Sequence, residues 1–146
     1  MASANDVLTA KGDQVIHCIP LTATVLEATR KMNDHKIGAL VVTDGPRVVG
    51  IFTERDVLSR VVVAQLFPDQ VKVGDVMTRD VICVTPETDL DEISAIMKNR
   101  RVRHVPVVCG AGSLRGVVSI GDINAHYASN QQQTIHFLND YIYGRV

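Results

Sequence analysis

A short motif that combines a hydroxyl residue with an aspartate three positions later occurs twice in this chain. The first motif is residues 50–56 (GIFTERD), and the second motif is residues 116–122 (GVVSIGD). Each predicts a strand that enters a helix, with Thr53 or Ser119 at the helix N-terminus. A hydroxyl group and a carboxylate at such a place can hold a phosphate or a sugar. The same residue types are also preferred helix caps, so ligand binding and capping are both open interpretations.

The two motifs lie inside a longer internal repeat. Val25 aligns with Leu90, Met32 with Met97, and each half reads strand, helix, strand, turn, strand, motif, helix. Two copies of roughly 60 residues indicate a pair of small domains rather than a solenoid.

The composition is that of an ordinary globular chain. Apolar residues make up 46%, charged residues 21%, and the net charge is −1, which gives no general reason to expect nucleic acid as a partner. The N-terminal residues lack the basic and apolar segments of a signal peptide. No apolar run approaches the length of a membrane span. We therefore expect a cytoplasmic protein with no membrane partner.

The cysteines are three, an odd number, and none forms a CxxC pair. This pattern argues against a disulfide framework or a zinc site. Cys18 and Cys83 occupy equivalent positions in the two halves, each within a predicted apolar strand. We expect both to be small buried residues, and this expectation is favoured over a redox role.

Periodicity and turn residues predict the elements of each half. Residues 7–12 form a lead-in, with Val7 and Leu8 covering the edge of the first repeat. The elements predicted for the first half are a strand at 14–19, a helix capped by Thr24 and Glu27 that ends near 33–34, strands at 37–43 and 48–52, and a helix that Asp56 leads as far as Leu66. Those predicted for the second half are a connector at 73–78, a strand at 81–84, a helix capped by Asp89 and Glu92 or by Thr88, strands at 102–108 and 114–120, and a late helix through Ile135, Leu138 and Ile142.

Several of these features together resemble the CBS domain, named for cystathionine beta-synthase. They are both motifs, the connector residues 76–79 (VMTR) and the strand residues 101–107 (RVRHVPV). The resemblance implies an α+β (α/β) fold with a βαββα unit in each repeat and two sheets packed about a pseudo-twofold axis. It divides the chain into repeat one (7–68), repeat two (69–128) and a C-terminal helical tail (129–146), as in small stand-alone bacterial pair proteins.

The resemblance also implies a ligand. Members of the family bind adenine nucleotides in two clefts between the repeats, and AMP or ATP is favoured here over NAD or S-adenosylmethionine. Carried over by position, Asp56 and Asp122 would accept hydrogen bonds from the ribose hydroxyls, and Thr53 and Ser119 would bind the phosphate. No catalytic residue and no metal ligand is implied. The family usually pairs into dimers, so we expect a homodimer.

The segments before the buried strands differ between the repeats. On the same resemblance, Arg103 and His104 would serve the Asp56 site, and Arg55 would serve the Asp122 site. Ile37, Gly38 and Val102 complete the expected ligand-binding set. Because Arg103 offers a bidentate donor where repeat one has Gly38, the Asp56 site should prefer the more negatively charged ligand. The alternative is a solvated basic edge, which is favoured for Arg100 and Arg101.

Three other functions compete with nucleotide sensing. An enzyme is disfavoured, because the five histidines form no His-x-x-x-His pair and the chain has no nucleophile elbow. Nucleic-acid binding would use the arginines at 100, 101, 103 and 115, but aromatic residues make up only 4%. A redox-linked regulator without bound nucleotide is the remaining alternative. The sequence is thus interpreted as a regulatory module that binds an adenine nucleotide and signals to an unidentified protein.

Overall fold

The fold is described from a computed structural model, which covers residues 2–12, 15–110 and 112–128. The predicted late helix and tail (129–146) lie outside the described residues. No helix in the described ranges is long and apolar enough to cross a membrane. The elements in chain order are α1 (Ala4–Lys11), β1 (Cys18–Pro20), α2 (Val25–His35), β2 (Ala39–Asp44), β3 (Arg47–Thr53), α3 (Glu54–Asp56) continued by a π-helical segment (Val57–Val62), α4 (Val73–Val76), α5 (Leu90–Arg100), β4 (His104–Cys109), β5 (Ser113–Ser119) and α6 (Ile120–Tyr127).

The chain divides into two compact units, each built on one repeat. Among the described residues, the first unit comprises Val15–Val81 with residues 112–114, and the second combines residues 2–12 with Ile82–Gly110 and residues 115–128. This division differs from the contiguous ranges 7–68 and 69–128 at the lead-in and the connector. The lead-in precedes repeat one in the chain but packs on repeat two, and the connector precedes repeat two but packs on repeat one.

The first unit contains the strand–helix–strand–strand–helix order expected of one repeat. Its sheet has the order β1-β2-β3, with β1 parallel to β2 and β3 antiparallel to β2. Leu40, Val42 and Phe52 are fully buried in the core of this unit. The apolar stripe of α2, formed by Ala28 and Met32 with Val25, packs in the same core, as the helical spacing predicted.

The helix of the first motif starts earlier and ends earlier than predicted. Thr53 is its N-cap, so the helix begins at Glu54 rather than at Asp56. From Val57 to Val62 the backbone is π-helical, and residues 63–65 form a turn. The predicted continuation to Leu66 is therefore wrong. By contrast, α2 begins after Thr24 as predicted, since the Thr24 hydroxyl accepts a hydrogen bond from the Glu27 N–H at 3.1 Å.

The second unit has a two-stranded sheet of β4 and β5, because the predicted strand at 81–84 does not form. Val84 makes only a single bridge, parallel to Val107. The reason lies in two prolines, Pro106 and Pro86. Pro86 stands where Leu21 of the first repeat donates its N–H to the Thr43 carbonyl at 3.0 Å. The residue of the first repeat that aligns with Pro106, Val41, donates its N–H to the carbonyl of His17 at 3.2 Å. Proline has no N–H to donate, so both equivalent bonds are lost. Cys83, expected to be buried in that strand, is exposed.

The lead-in helix α1 packs on the second repeat, which corrects the prediction that it covers the first. Ala4 and Val7 are buried in the core of the second unit together with Leu90 and Ile93. The predicted Asp89–Glu92 capping box is absent, since the Asp89 side chain makes no cap. Its role is taken by backbone, because the first N–H of α5, from Leu90, donates to the carbonyl of Ala2 at 3.0 Å.

The connector packs on the first repeat in a matching way. Val73, Val76 and Met77 are buried in the core of the first unit. Each repeat is thus completed by a short helical segment that precedes the other repeat in the chain: α1 completes repeat two, and α4 completes repeat one. These two segments prove to contact the two motifs.

Candidate functional site

Both motifs form the same reciprocal capping box at the start of a helix. The Thr53 N–H donates to Asp56 Oδ2 at 3.0 Å, and the Asp56 N–H donates to Thr53 Oγ1 at 3.3 Å. The matching distances are 2.9 Å and 3.1 Å for Ser119 and Asp122. Two backbone donors that the helix cannot satisfy itself are therefore bonded in each copy. The capping interpretation holds for both motifs.

Asp56 is almost entirely buried, at 5% exposed. Besides its cap, the carboxylate accepts a hydrogen bond from the Thr78 hydroxyl at 3.2 Å, and Arg60 Nε lies 3.6 Å from Oδ1. Arg60 also donates to the carbonyl of Met77 at 2.9 Å. The connector and the helix after the motif therefore close over this carboxylate from two directions.

Asp122 is held by a residue that the sequence reasoning missed. Lys11 Nζ lies 3.0 Å from Asp122 Oδ2 and 2.9 Å from the carbonyl oxygen of Val117, so one ammonium group bridges strand β5 and helix α6. The Asp122 side chain is 20% exposed and that of Lys11 26%. The sequence signal for this contact was positional. Residues 8–12 precede repeat one in the same way that residues 73–78 precede repeat two, so the two segments are equivalent.

The leading glycine of each motif permits a close approach. A Cβ atom added to Gly50 would lie 2.6 Å from Met77 Sδ and 2.7 Å from the carbonyl oxygen of Thr78. A Cβ added to Gly116 would lie 2.7 Å from Leu8 Cδ2. These distances are too short for carbon. At Gly50 the contact is with backbone, so only glycine lets the connector lie against its strand, whereas at Gly116 the flexible Leu8 side chain would have to move aside.

The residues before the buried strands bond the helix starts through their backbone. The Gly38 carbonyl accepts from the Glu54 N–H at 3.0 Å, and the Arg103 carbonyl accepts from the Ile120 N–H at 2.9 Å. Ile37 and Val102 pack against the cores of their own units. These contacts place the predicted segments beside the motif of their own repeat. The assignment of the Arg103, His104 and Arg55 side chains to the other repeat's motif stays a prediction.

A second group of polar residues lies beside β1. The rings of His17 and His35 have centroids 4.3 Å apart, and Lys31 Nζ donates to the Cys18 carbonyl at 2.6 Å. Burial lowers the pKa of His17, and the nearby His35 and Lys31 lower it further. Burial raises the pKa of the Cys18 thiol, and Lys31 opposes this in part, which disfavours a reactive thiolate. The described residues include no set of three or more metal-ligating side chains that could hold an ion.

Two repeats of this order, each with a capping box after a closely approached glycine, define a tandem-repeat α+β protein. The family model of the CBS domain matches residues 12–63 and 73–129. The chain belongs to the CBS-domain family. Proteins of this family are regulatory modules and are generally not catalytic.

Individual relatives agree with this membership. The chain is 38% identical over 126 residues to the mitochondrial CBS domain-containing protein CBSX3 of Arabidopsis thaliana, an alignment of 83% of this chain and only 61% of that protein. A solved CBS-domain structure from Burkholderia ambifaria is 35% identical, with a TM-score of 0.84 over 89% of this chain and 96% of the other. A CBS-domain protein from Pyrobaculum aerophilum, complexed with AMP, is 27% identical, with a TM-score of 0.74 over 83% and 89% of the two chains.

Proposed function

We propose that this chain is a regulatory module that binds an adenine nucleotide at its two motifs and signals the bound state to a partner protein. The observation that carries the proposal is the duplicated capping box with its aspartate, within a family in which the Pyrobaculum protein is complexed with AMP. The proposed ligand is AMP or ATP, with NAD and S-adenosylmethionine as alternatives.

The chemistry of the motif residues suits a nucleotide. An ionised carboxylate only accepts hydrogen bonds, and the vicinal hydroxyls of a ribose can donate two of them. The hydroxyl of Thr53 or Ser119 can donate to a phosphate oxygen, and the basic residues Arg55, Arg103 and His104 can add charge-assisted bonds. Both carboxylates already cap helices, so a ligand has to share them with the cap or displace their other partners.

A second copy of the chain is the proposed partner for one exposed surface. On the helix after the first motif and the turn that follows, several large apolar side chains are exposed, with Val63 at 77% and Phe67 at 68%. Leu58, Val62 and Leu66 of the same segment are also exposed. An apolar surface of this kind is characteristic of an interaction site, and a homodimer would bury it twice through one self-complementary contact.

A thermal-shift titration tests the proposal. AMP, ADP, ATP, NAD and S-adenosylmethionine are compared with GMP as a base-specificity control. A ligand that binds only the folded state stabilises it by about 2.7 kcal/mol at a hundredfold excess over its Kd. We expect a concentration-dependent rise in Tm with at least one adenine ligand and little with GMP. If no adenine ligand raises the Tm, the proposal fails, and an equal rise with GMP removes its adenine specificity.

A further inference from the structure

The two motifs are closed by different chemical groups at the same place. In the second motif, Lys11 Nζ bonds the Val117 carbonyl at 2.9 Å and Asp122 at 3.0 Å. In the first motif, Thr78 bonds the Ile51 carbonyl through its backbone N–H at 2.9 Å and Asp56 through its hydroxyl at 3.2 Å. Ile51 and Val117 occupy the same motif position. One ammonium group therefore makes the two contacts that a peptide N–H and a hydroxyl make in the other copy.

The two closures differ in how they can be opened. Thr78 is fixed by its main chain, since Ile51 and Thr78 exchange both backbone hydrogen bonds of an antiparallel bridge. The hydroxyl can turn about its side-chain torsion, but Thr78 as a whole cannot leave the motif without moving the connector, whose Met77 is buried in the core. Lys11 is the last residue of α1, and its ammonium group lies at the end of a flexible side chain. The helix itself is held in place by the buried residues Ala4 and Val7 and not by Lys11. Rotation of this one side chain uncovers Asp122.

Burial follows the same difference. The Asp56 side chain is 7% exposed, whereas the Asp122 side chain is 20% exposed and that of its partner Lys11 26%. An ion pair that is still partly open to solvent is screened and contributes little. A ligand can therefore displace Lys11 at small cost. Displacing Thr78 would leave a buried carboxylate short of a donor, which costs more.

We propose that Lys11 determines which of the two motifs binds ligand first. This inference rests on the proposed nucleotide-binding function. Its ammonium group occupies the Asp122 carboxylate in place of a ribose diol and competes with the incoming ribonucleoside. The Asp122 motif opens by withdrawal of Lys11 and binds with the higher affinity for a neutral nucleoside. The Asp56 motif is closed through the main chain and binds more weakly. Binding at Asp122 also frees the Lys11 ammonium group from the Val117 carbonyl of strand β5, which moves one positive charge on the surface that a partner meets.

The test is calorimetric titration of the full chain with adenosine, which carries no phosphate and so does not respond to the loss of a positive charge as such. Lys11→Met removes the competing ammonium and keeps most of the chain length, and Lys11→Gln keeps a donor without the charge. Lys98→Met, at an exposed position of α5, is the matched control for removal of a lysine. We expect Lys11→Met to bind adenosine about two- to fivefold more tightly than the wild type, with Lys11→Gln between them and Lys98→Met unchanged.

The same titration in an Asp122→Asn background locates the effect, and circular dichroism confirms that each variant is folded. The gain from Lys11→Met should vanish there. Unchanged or weaker adenosine binding by Lys11→Met, with a binding wild type, overturns the role of Lys11 while leaving nucleotide binding intact. A gain that persists with Asn at position 122 also overturns it. If neither the wild type nor any variant binds adenosine or AMP, the proposed function itself fails and this inference fails with it.

Discussion

At the scale of single residues, Asp56 shows how a buried carboxylate is kept satisfied within one repeat. Its partners are the Thr53 backbone N–H, the hydroxyls of Thr53 and Thr78, and the guanidinium of Arg60. An unpaired charge at this depth would be costly, so each donor has a large effect when it is removed. Two of these partners are within reach of local sequence patterns: the capping residue Thr53, three residues away, and Arg60, four residues away. No local pattern links Thr78 or Lys11 to the motifs, since they are distant in the chain, and only their equivalent positions before the two repeats gave a signal.

Thr78→Val tests this arrangement. The substitution keeps the shape of the side chain and the backbone bridge to Ile51 but removes one donor to Asp56. We expect the free energy of unfolding to fall by about 1–3 kcal/mol, since a buried carboxylate is left with an unfilled acceptor position. Chemical denaturation measures it. Thr22→Val, at an exposed turn of the same unit, is the control and should change stability by less than about 0.5 kcal/mol. Equal small losses in both variants would show that Thr78 does not support Asp56.

At the scale of elements, the repeat pattern predicted the order of strands and helices but not every boundary. The capped α2 and the strands β2 to β5 lie close to their predicted ranges, since burial periodicity and turn residues determine them locally. The strand at 81–84 fails because Pro86 at its end and Pro106 on the strand it should pair with both lack an N–H. That effect can be recognised only once the pairing of this strand with β4 is known. The lead-in was assigned to the wrong repeat because adjacency in sequence says little about which core an apolar helix completes.

The motif glycines offer a prediction at this scale. Gly50→Ala would push a Cβ against the backbone carbonyl of Thr78, and Gly116→Ala only against the end of the Leu8 side chain. We expect Gly50→Ala to cost about 1–3 kcal/mol of stability and Gly116→Ala distinctly less, since a flexible side chain can move aside. Gly121→Ala, in α6 with only an ordinary contact to Ser119 Oγ, is the matched control and should be neutral or stabilising.

A double variant strengthens the glycine test. Combining Gly116→Ala with Leu8→Ala removes the side chain that the new methyl group would meet, so the two changes should cost less together than the sum of their separate effects. Denaturation midpoints of the four proteins give the coupling. If Gly50→Ala is as well tolerated as Gly121→Ala, the connector does not lie against the first motif as described.

At the scale of the whole molecule, the proposed homodimer depends on the exposed apolar surface of the first unit. We expect light scattering at micromolar concentration to give the mass of two chains. Val63→Glu combined with Phe67→Glu should reduce this to one chain, because burying two carboxylates in an apolar contact is strongly unfavourable. Thr22→Glu adds a carboxylate outside this surface and should stay dimeric. A wild-type monomer, or a dimer that persists in the double variant, would exclude this surface as the contact.

The two repeats and the family could both be predicted from the sequence, because duplicated motifs can be recognised without knowing which distant residues are in contact. The family match confirms both predictions. The role of the motifs in ligand binding remains a proposal, because the same hydroxyl and carboxylate satisfy the helix starts in the absence of ligand. Capping and binding use the same atoms. They are separated only by a measurement that adds the ligand.

That measurement is calorimetric titration of AMP into the wild type, Asp56→Asn, Asp122→Asn and the double variant, with circular dichroism to confirm that each is folded. Asparagine keeps an oxygen that can cap the helix but loses the charge that strengthens a bond from a ribose hydroxyl. We expect the wild type to bind AMP and each single variant to lose affinity at one motif by about 1.5–3 kcal/mol, roughly ten- to a hundredfold, with both motifs weakened in the double variant. A folded double variant that binds AMP as tightly as the wild type would contradict nucleotide binding at these motifs.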